Sequence, residues 1–175
     1  IHAIENPGVA KLIAGLIFPV GLMMIVFVGG ELFTGDCMML MGNLHKKYNA
    51  LSMIRVLVLV YLSNLVGSVI IAALVYFSGQ LDMSAGLLGA FKIKVAYGKA
   101  ALPFSRALFS GILCNILVCA AVLMAGAAKD IAGKVFAILF PIMAFVIGGY
   151  EHCVANMYYI PAGLMALSND TYKQA

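Results

Sequence analysis

The chain has 175 residues, 64% of them hydrophobic and 10% charged, with a formal net charge of +4. A soluble domain carries about 25% charged residues, and the mean hydropathy here is +1.06. Too little polar area exists to cover a water-soluble core, so lipid must solvate the outside; no basic run exceeds Lys46-Lys47, which excludes a nucleic-acid surface.

The apolar stretches predict spans over about 8–44, 56–77, 107–128 and 135–167 in one transmembrane domain. A helix needs roughly 20 apolar residues to cross the hydrocarbon core. The second and third stretches have that length and carry no charge. The first is broken near 30–36, at Gly29-Gly30-Glu31-Leu32-Phe33-Thr34-Gly35-Asp36. The fourth is broken near 149–156, at Gly148-Gly149-Tyr150-Glu151-His152-Cys153-Val154-Ala155-Asn156. Ionisable residues inside a span are costly and point to function. Irregular backbone at that depth is tolerated only against protein or a water-filled cavity.

The two broken stretches resemble each other. One reads Phe18-Pro19, then Phe27-Val28-Gly29-Gly30-Glu31; the other reads Phe140-Pro141, then Phe145-Val146-Ile147-Gly148-Gly149-Tyr150-Glu151. With two crossings between them they run in opposite directions. Paired, interrupted segments of opposite polarity mark an inverted repeat, with its site near the midplane. The connections are polar: His45 to Arg55, Ser78 to Arg106, and Lys129 to Lys134. Their basic residues fall on both sides, so charge does not orient the chain.

Half-helix N-termini present free N–H groups and a partial positive charge, which suits an anion. Thr34 adds a hydroxyl. His152 can hydrogen-bond an anion or exchange a proton with it; the plain alternative is a neutral core histidine. Asn115 is the lone amide in the third span, where it either bonds His152 and fixes its tautomer or joins two helices. Lys99 precedes Asn115 by 16 positions, ~24 Å along a straight helix. That places it near one mouth, as an attractor of anions or as a snorkelling lysine. Glu31 and Glu151 read as structural caps. The four cysteines, Cys37, Cys114, Cys119 and Cys153, form no CxxC pair. They read as small buried hydrophobes, and neither metal nor cofactor is expected. His2 and His45 fall in polar flanks.

Gly30-Glu31-Leu32-Phe33-Thr34-Gly35, taken with Gly149-Tyr150-Glu151-His152-Cys153-Val154-Ala155-Asn156-Met157, resembles the two signature loops of the formate/nitrite transporter family. The stretch from Lys99 through Arg106 to Gly111-Ile112-Leu113-Cys114-Asn115 resembles that family's fourth helix. The likeness runs from about Asn6 to Leu167. It implies an all-α integral membrane fold, an aquaporin-like inverted repeat of six helices with two of them broken. It implies a homopentamer in the bacterial plasma membrane with one pore per protomer, and no enzymatic activity. On this reading the first and sixth helices are absent, and the link holding Lys46, Lys47 and Arg55 is cytoplasmic. By position, Thr34 resembles the threonine of the first pore loop, His152 the central histidine, Asn115 its neighbouring asparagine and Lys99 the vestibule lysine. Phe18 and Leu22 match one apolar constriction, Phe145 and Val118 the other. The implied substrate is a small monovalent anion: formate, nitrite or hydrosulfide. Glu31-Leu32-Phe33-Thr34-Gly35 tilts the expectation toward hydrosulfide or nitrite.

Two rivals remain. A water or glycerol channel needs two Asn-Pro-Ala-like loops, and only Asn6-Pro7-Gly8 comes near, outside the first span. A proton- or Na⁺-coupled secondary transporter would use Glu31, Asp36 and Glu151 as ion-binding groups.

Overall fold

The computed structural model describes residue 4 and residues 6–174; His2 lies outside the described residues. Asn6 opens helix α1 (Pro7–Ile17), its side chain accepting from the N–H groups of Gly8 and Val9. Pro7 takes the first helical position, where a missing N–H has no consequence. Phe18 is itself helical and joins α1 to α2 (Pro19–Val28), so Pro7–Val28 is a single apolar span of 22 residues. After a break come α3 (Phe33–Asp36) and α4 (Met39–Leu44).

Asn49 caps α5 (Ala50–Phe77) by accepting from Ser52 N–H at 2.7 Å. Beyond it lie a 3₁₀ turn (Gln80–Asp82) and α6 (Leu87–Ala100). The polar link expected over 78–106 is therefore not open chain. Small residues explain its packing: a Cβ on Gly163 would overlap Ala96 and come within 2.9 Å of the Lys92 carbonyl. The Lys92 ammonium bonds Tyr158 Oη at 3.0 Å and lies 4.5 Å from that ring's centroid. Three lysines on α6 made a packed helix look like a solvated loop.

Next come α7 (Phe104–Ala127) and α8 (Ile131–Gly148), the latter capped by Asp130, which accepts from Gly133 N–H at 2.7 Å. The chain ends with α9 (Cys153–Leu167) and α10 (Asp170–Gln174). Among the described residues, four helices are long and apolar enough to cross a membrane: Pro7–Val28, α5, α7 and α8. Their outward faces are apolar, with Val28 83% and Phe77 82% exposed. That arrangement suits lipid and not water.

Packing falls into two bodies. Leu22 of α2, Cys114, Val118, Ala121 and Ala125 of α7, and Ile138, Ile142 and Phe145 of α8 form the main core. Leu81, Ala166 and Tyr172 form a smaller one, where α6, α9 and α10 meet. Between them α9 lies against α5 and α6.

Both breaks are shorter than the sequence suggests. The first is Gly29–Leu32, followed at once by the single turn of α3. The second is Gly149–His152, because Cys153–Asn156 already forms the first turn of α9.

Candidate functional site

The two breaks begin with one backbone solution. Helix α2 ends at Gly29 (φ 77°, ψ 33°) and α8 at Gly149 (φ 72°, ψ 29°), both left-handed. Gly30 N–H then reaches back to the Ile25 carbonyl at 2.9 Å, and Tyr150 N–H to that of Phe145 at 3.0 Å. Each is a six-residue closure that satisfies a terminal carbonyl. These closures set the register of the repeat. Glu31 corresponds to Glu151, Leu32 to His152, and Asp36 to Asn156.

Leu32 and His152 are the caps of the helices that follow. His152 caps with its ring: Nδ1 accepts from Ala155 N–H at 3.0 Å. An accepting Nδ1 carries no proton, so the neutral imidazole holds its proton on Nε2. Nε2 lies 3.1 Å from Thr34 Oγ1. This tautomer follows from the hydrogen-bond network. It makes Nε2–H the donor and leaves the threonine hydroxyl proton free to point elsewhere. Thr34 is 5% exposed, and its carbonyl accepts from Cys119 Sγ at 3.5 Å. The Phe145 ring stacks on the imidazole with centroids 5.8 Å apart.

Glu151, beside His152, is fully engaged. Its Oε1 accepts from Lys99 Nζ at 2.6 Å and its Oε2 from Asn156 Nδ2 at 2.9 Å, while its N–H donates to Ser110 Oγ at 2.9 Å. Lys99 is therefore not a free cation at a mouth, as straight-helix geometry suggested. The chain turns at Ala101–Pro103 between α6 and α7, and this turn brings the ammonium back to the break.

Asn115 does not bond His152, since both ring nitrogens are already engaged. Its Oδ1 is buried without a partner. It lines a cavity of about 500 Å³ with Thr34, Cys37, Cys119, Glu151 and Cys153. A second cavity, of about 340 Å³, holds Phe18, Leu22, Val118 and Phe145 together, with His152 in its wall. Phe18 meets Phe145 edge to face at 5.5 Å. The four apolar residues that the sequence divided between two constrictions thus line one cavity. The Thr34–His152 contact stands between the two spaces: Thr34 faces the first and His152 the second.

The family model described as "Formate/nitrite transporter" matches residues 1–175. The chain belongs to the formate/nitrite transporter family. It is 41% identical over 158 residues to the "Formate channel FocA" of Haemophilus influenzae, an alignment covering 90% of this chain and 56% of that protein. It is 43% identical over 181 residues to a "Probable formate transporter" of Methanothermobacter thermautotrophicus, covering 95% of this chain and 66% of that one. The chain thus spans between 56% and 66% of the length of these two relatives. A solved structure described as "Pentameric formate channel with formate bound" superposes with a TM-score of 0.85 at 31% identity, covering 98% of this chain and 68% of that one. Another, "FNT family ion channel", gives 0.85 at 34% identity, with the same coverage. The formate/nitrite transporter fold, with its two broken helices, is therefore the fold of this chain, and the protein is a multi-pass membrane protein.

Two residues that hold the formate/nitrite transporter breaks escaped the sequence reading. Asn64 of α5 accepts from Phe33 N–H at 3.0 Å and donates to the Glu31 carbonyl at 3.1 Å. Ser110 of α7 accepts from Glu151 N–H. The available signal was an amide in the middle of an apolar span.

Proposed function

We propose that this chain forms most of the protomer of a channel for small monovalent anions, with Thr34 and His152 as the central polar pair. One observation carries the reading: a part-buried Thr34–His152 hydrogen bond stands between two cavities whose remaining walls are largely apolar. Hydrated ions are too costly to pass such walls, whereas a small anion can exchange its water for directed donors. Both α3 and α9 start beside this pair, so the two breaks present the Thr34 hydroxyl and the imidazole at one place. Lys99, neutralised by Glu151, holds the second break in shape. Asn115 supplies a polar wall to the first cavity, and Phe18, Leu22, Val118 and Phe145 form the apolar constriction of the other.

The Haemophilus influenzae relative is a formate channel and the Methanothermobacter thermautotrophicus one a probable formate transporter, so formate is the first anion to test. Gly35 after Thr34 keeps nitrite and hydrosulfide as substrates of the same pore. The superposed pentamer supports a homopentamer with one path per protomer. To pass a proton to a weak-acid anion, the imidazole must first take one from solution at Nδ1, giving up its bond from Ala155 N–H; the imidazolium then returns a proton from Nε2 through the Thr34 hydroxyl and reverts to neutral, letting part of the flux cross as the neutral acid.

The test is uptake of formate, nitrite and hydrosulfide into liposomes carrying the full-length protein. Thr34→Val and His152→Asn are each expected to slow anion flux, and His152→Asn to flatten its pH dependence. Wild-type flux in both variants, or uptake that follows only a Na⁺ gradient, would overturn the proposal.

A further inference from the structure

We propose that Asn64, on a helix that contributes nothing else polar to the site, is the positioning residue that presents Thr34 to His152. The inference deepens the pore assignment above and rests on it.

The chain leaving α2 has to turn through Gly29–Leu32 before α3 begins. Its backbone groups there have no helical partners, and at membrane depth each must find one. Gly30 N–H is satisfied by the Ile25 carbonyl. Among the others are the Glu31 carbonyl and the Phe33 N–H, one on each side of Leu32. Asn64 takes both, donating from Nδ2 to Glu31 O and accepting at Oδ1 from Phe33 N. A carboxamide is the short side chain that carries a donor and an acceptor side by side. An aspartate lacks the donor, a serine cannot span both, and a leucine offers neither.

Tyr61 precedes Asn64 by three residues, on the same face of α5. Its ring meets that of Phe33 edge to face, with centroids 5.1 Å apart. Helix α5 therefore grips Phe33 twice, by ring and by N–H. Thr34 is the next residue, and α3 is only four residues long. Such a short helix cannot hold its own direction, so fixing Phe33 fixes Thr34. The second break is held by different elements: Ser110 from α7, Lys99 from α6 and Asn156 from α9. Asn64's hydrogen bonds go to Phe33 N and Glu31 O and to neither Thr34 nor His152, so it acts through the peptide that leads into α3.

The experiment compares wild type, Asn64→Leu, Asn64→Ser, Asn64→Asp and Thr34→Val, as full-length protein in liposomes. Formate flux, the formate-to-acetate permeability ratio, oligomeric state and thermal unfolding are measured for each. Misplacing a positioned group by ~1 Å costs up to ~10²-fold in a rate. Asn64→Leu and Asn64→Ser are expected to lower flux about tenfold and to lower the permeability ratio, with assembly retained. Asn64→Asp, which keeps the acceptor for Phe33 N–H, is expected to fall between them and wild type; flux no better than Asn64→Leu would overturn the acceptor role. A residue that merely glued helices would change the melting temperature without moving the permeability ratio, and that result overturns the proposal. Loss of assembled protein in both Asn64→Leu and Asn64→Ser overturns it too, since Asn64 would then hold the fold and not the loop. Wild-type flux in the Asn64 variants alongside a defect in Thr34→Val would sink this inference and leave the pore assignment standing. Wild-type flux in Thr34→Val would remove Thr34 from the pore assignment and this inference with it, and wild-type flux in His152→Asn as well would remove the assignment altogether.

Discussion

Thr34 Oγ1 and His152 Nε2 meet at 3.1 Å across 118 residues of sequence, one from each broken helix. The same imidazole caps α9 through Nδ1. Its two roles can be separated by substitution. Asn at position 152 can also accept from Ala155 N–H, so His152→Asn is expected to melt within ~0.5 kcal/mol of wild type while losing the bond to Thr34. His152→Leu, which loses the cap as well, should cost a further ~1 kcal/mol. Thermal unfolding in detergent, read beside formate flux, checks both; equal melting of the two variants would refute the capping role.

Gly29 and Gly149 end their helices in the left-handed region, yet a Cβ at either would meet nothing within 4 Å. The penalty of substitution is therefore conformational and not steric. Gly29→Ala and Gly149→Ala should each destabilise by about 1–2 kcal/mol. Nearly equal losses are expected, because the two closures share one geometry. Unfolding of the two single variants under identical conditions tests this, and a loss at one site only would break the equivalence of the repeats.

Removing Lys99 leaves the Glu151 carboxylate, 11% exposed, with Asn156 Nδ2 but no cation. Lys99→Met should cost ~2 kcal/mol, the scale of a hydrogen bond to a charged group. Adding Glu151→Gln removes the stranded charge, so the double variant should be more stable than Lys99→Met alone. A double-mutant cycle measures this. Strictly additive losses would mean that the pair does not act as a unit.

Close approach of α6 to α9 rests on Gly163. Gly163→Ala is expected to force the helices apart at a cost of about 1–3 kcal/mol. Gly67, in the middle of α5, has no neighbour within 4 Å of a Cβ. Gly67→Ala should leave stability unchanged or raise it by roughly 0.5–1 kcal/mol through helix propensity. Melting temperatures of the pair decide it, and an intact Gly163→Ala protein would refute the packing argument.

The fold could be read from the sequence because lipid imposes simple rules. Runs of apolar residues long enough to cross, and polar residues at Gly-rich interruptions, are visible one residue at a time. Thr34 and His152 stood out for the same reason. What the sequence concealed were pairings across the fold. Nothing in a string of residues says that Asn64 reaches back 33 positions to Glu31, or that Ser110 waits 41 positions ahead for Glu151. The pairing of Lys99 with Glu151 was hidden because a straight helix was drawn through Pro103, which lacks the N–H that a continuous helix needs. Helix α6 was missed because its three lysines interrupt its apolar residues, although its packing is set by Gly89 and Ala96. The tautomer of His152 needed the position of Ala155 N–H, which only the three-dimensional structure supplies.

The register of the two breaks sets Leu32 where its counterpart is His152. A repeat whose halves matched in every side chain would have interchangeable faces, and solute would see the same sequence of groups from either one. Here the backbone keeps that equivalence and the side chains abandon it, most plainly where a hydrocarbon on one half corresponds to an imidazole on the other. Under the pore assignment, an acidic solution on one face and its mirror image on the other are then different conditions for the protein. Rectification would originate in those unmatched side chains, Leu32 against His152 among them.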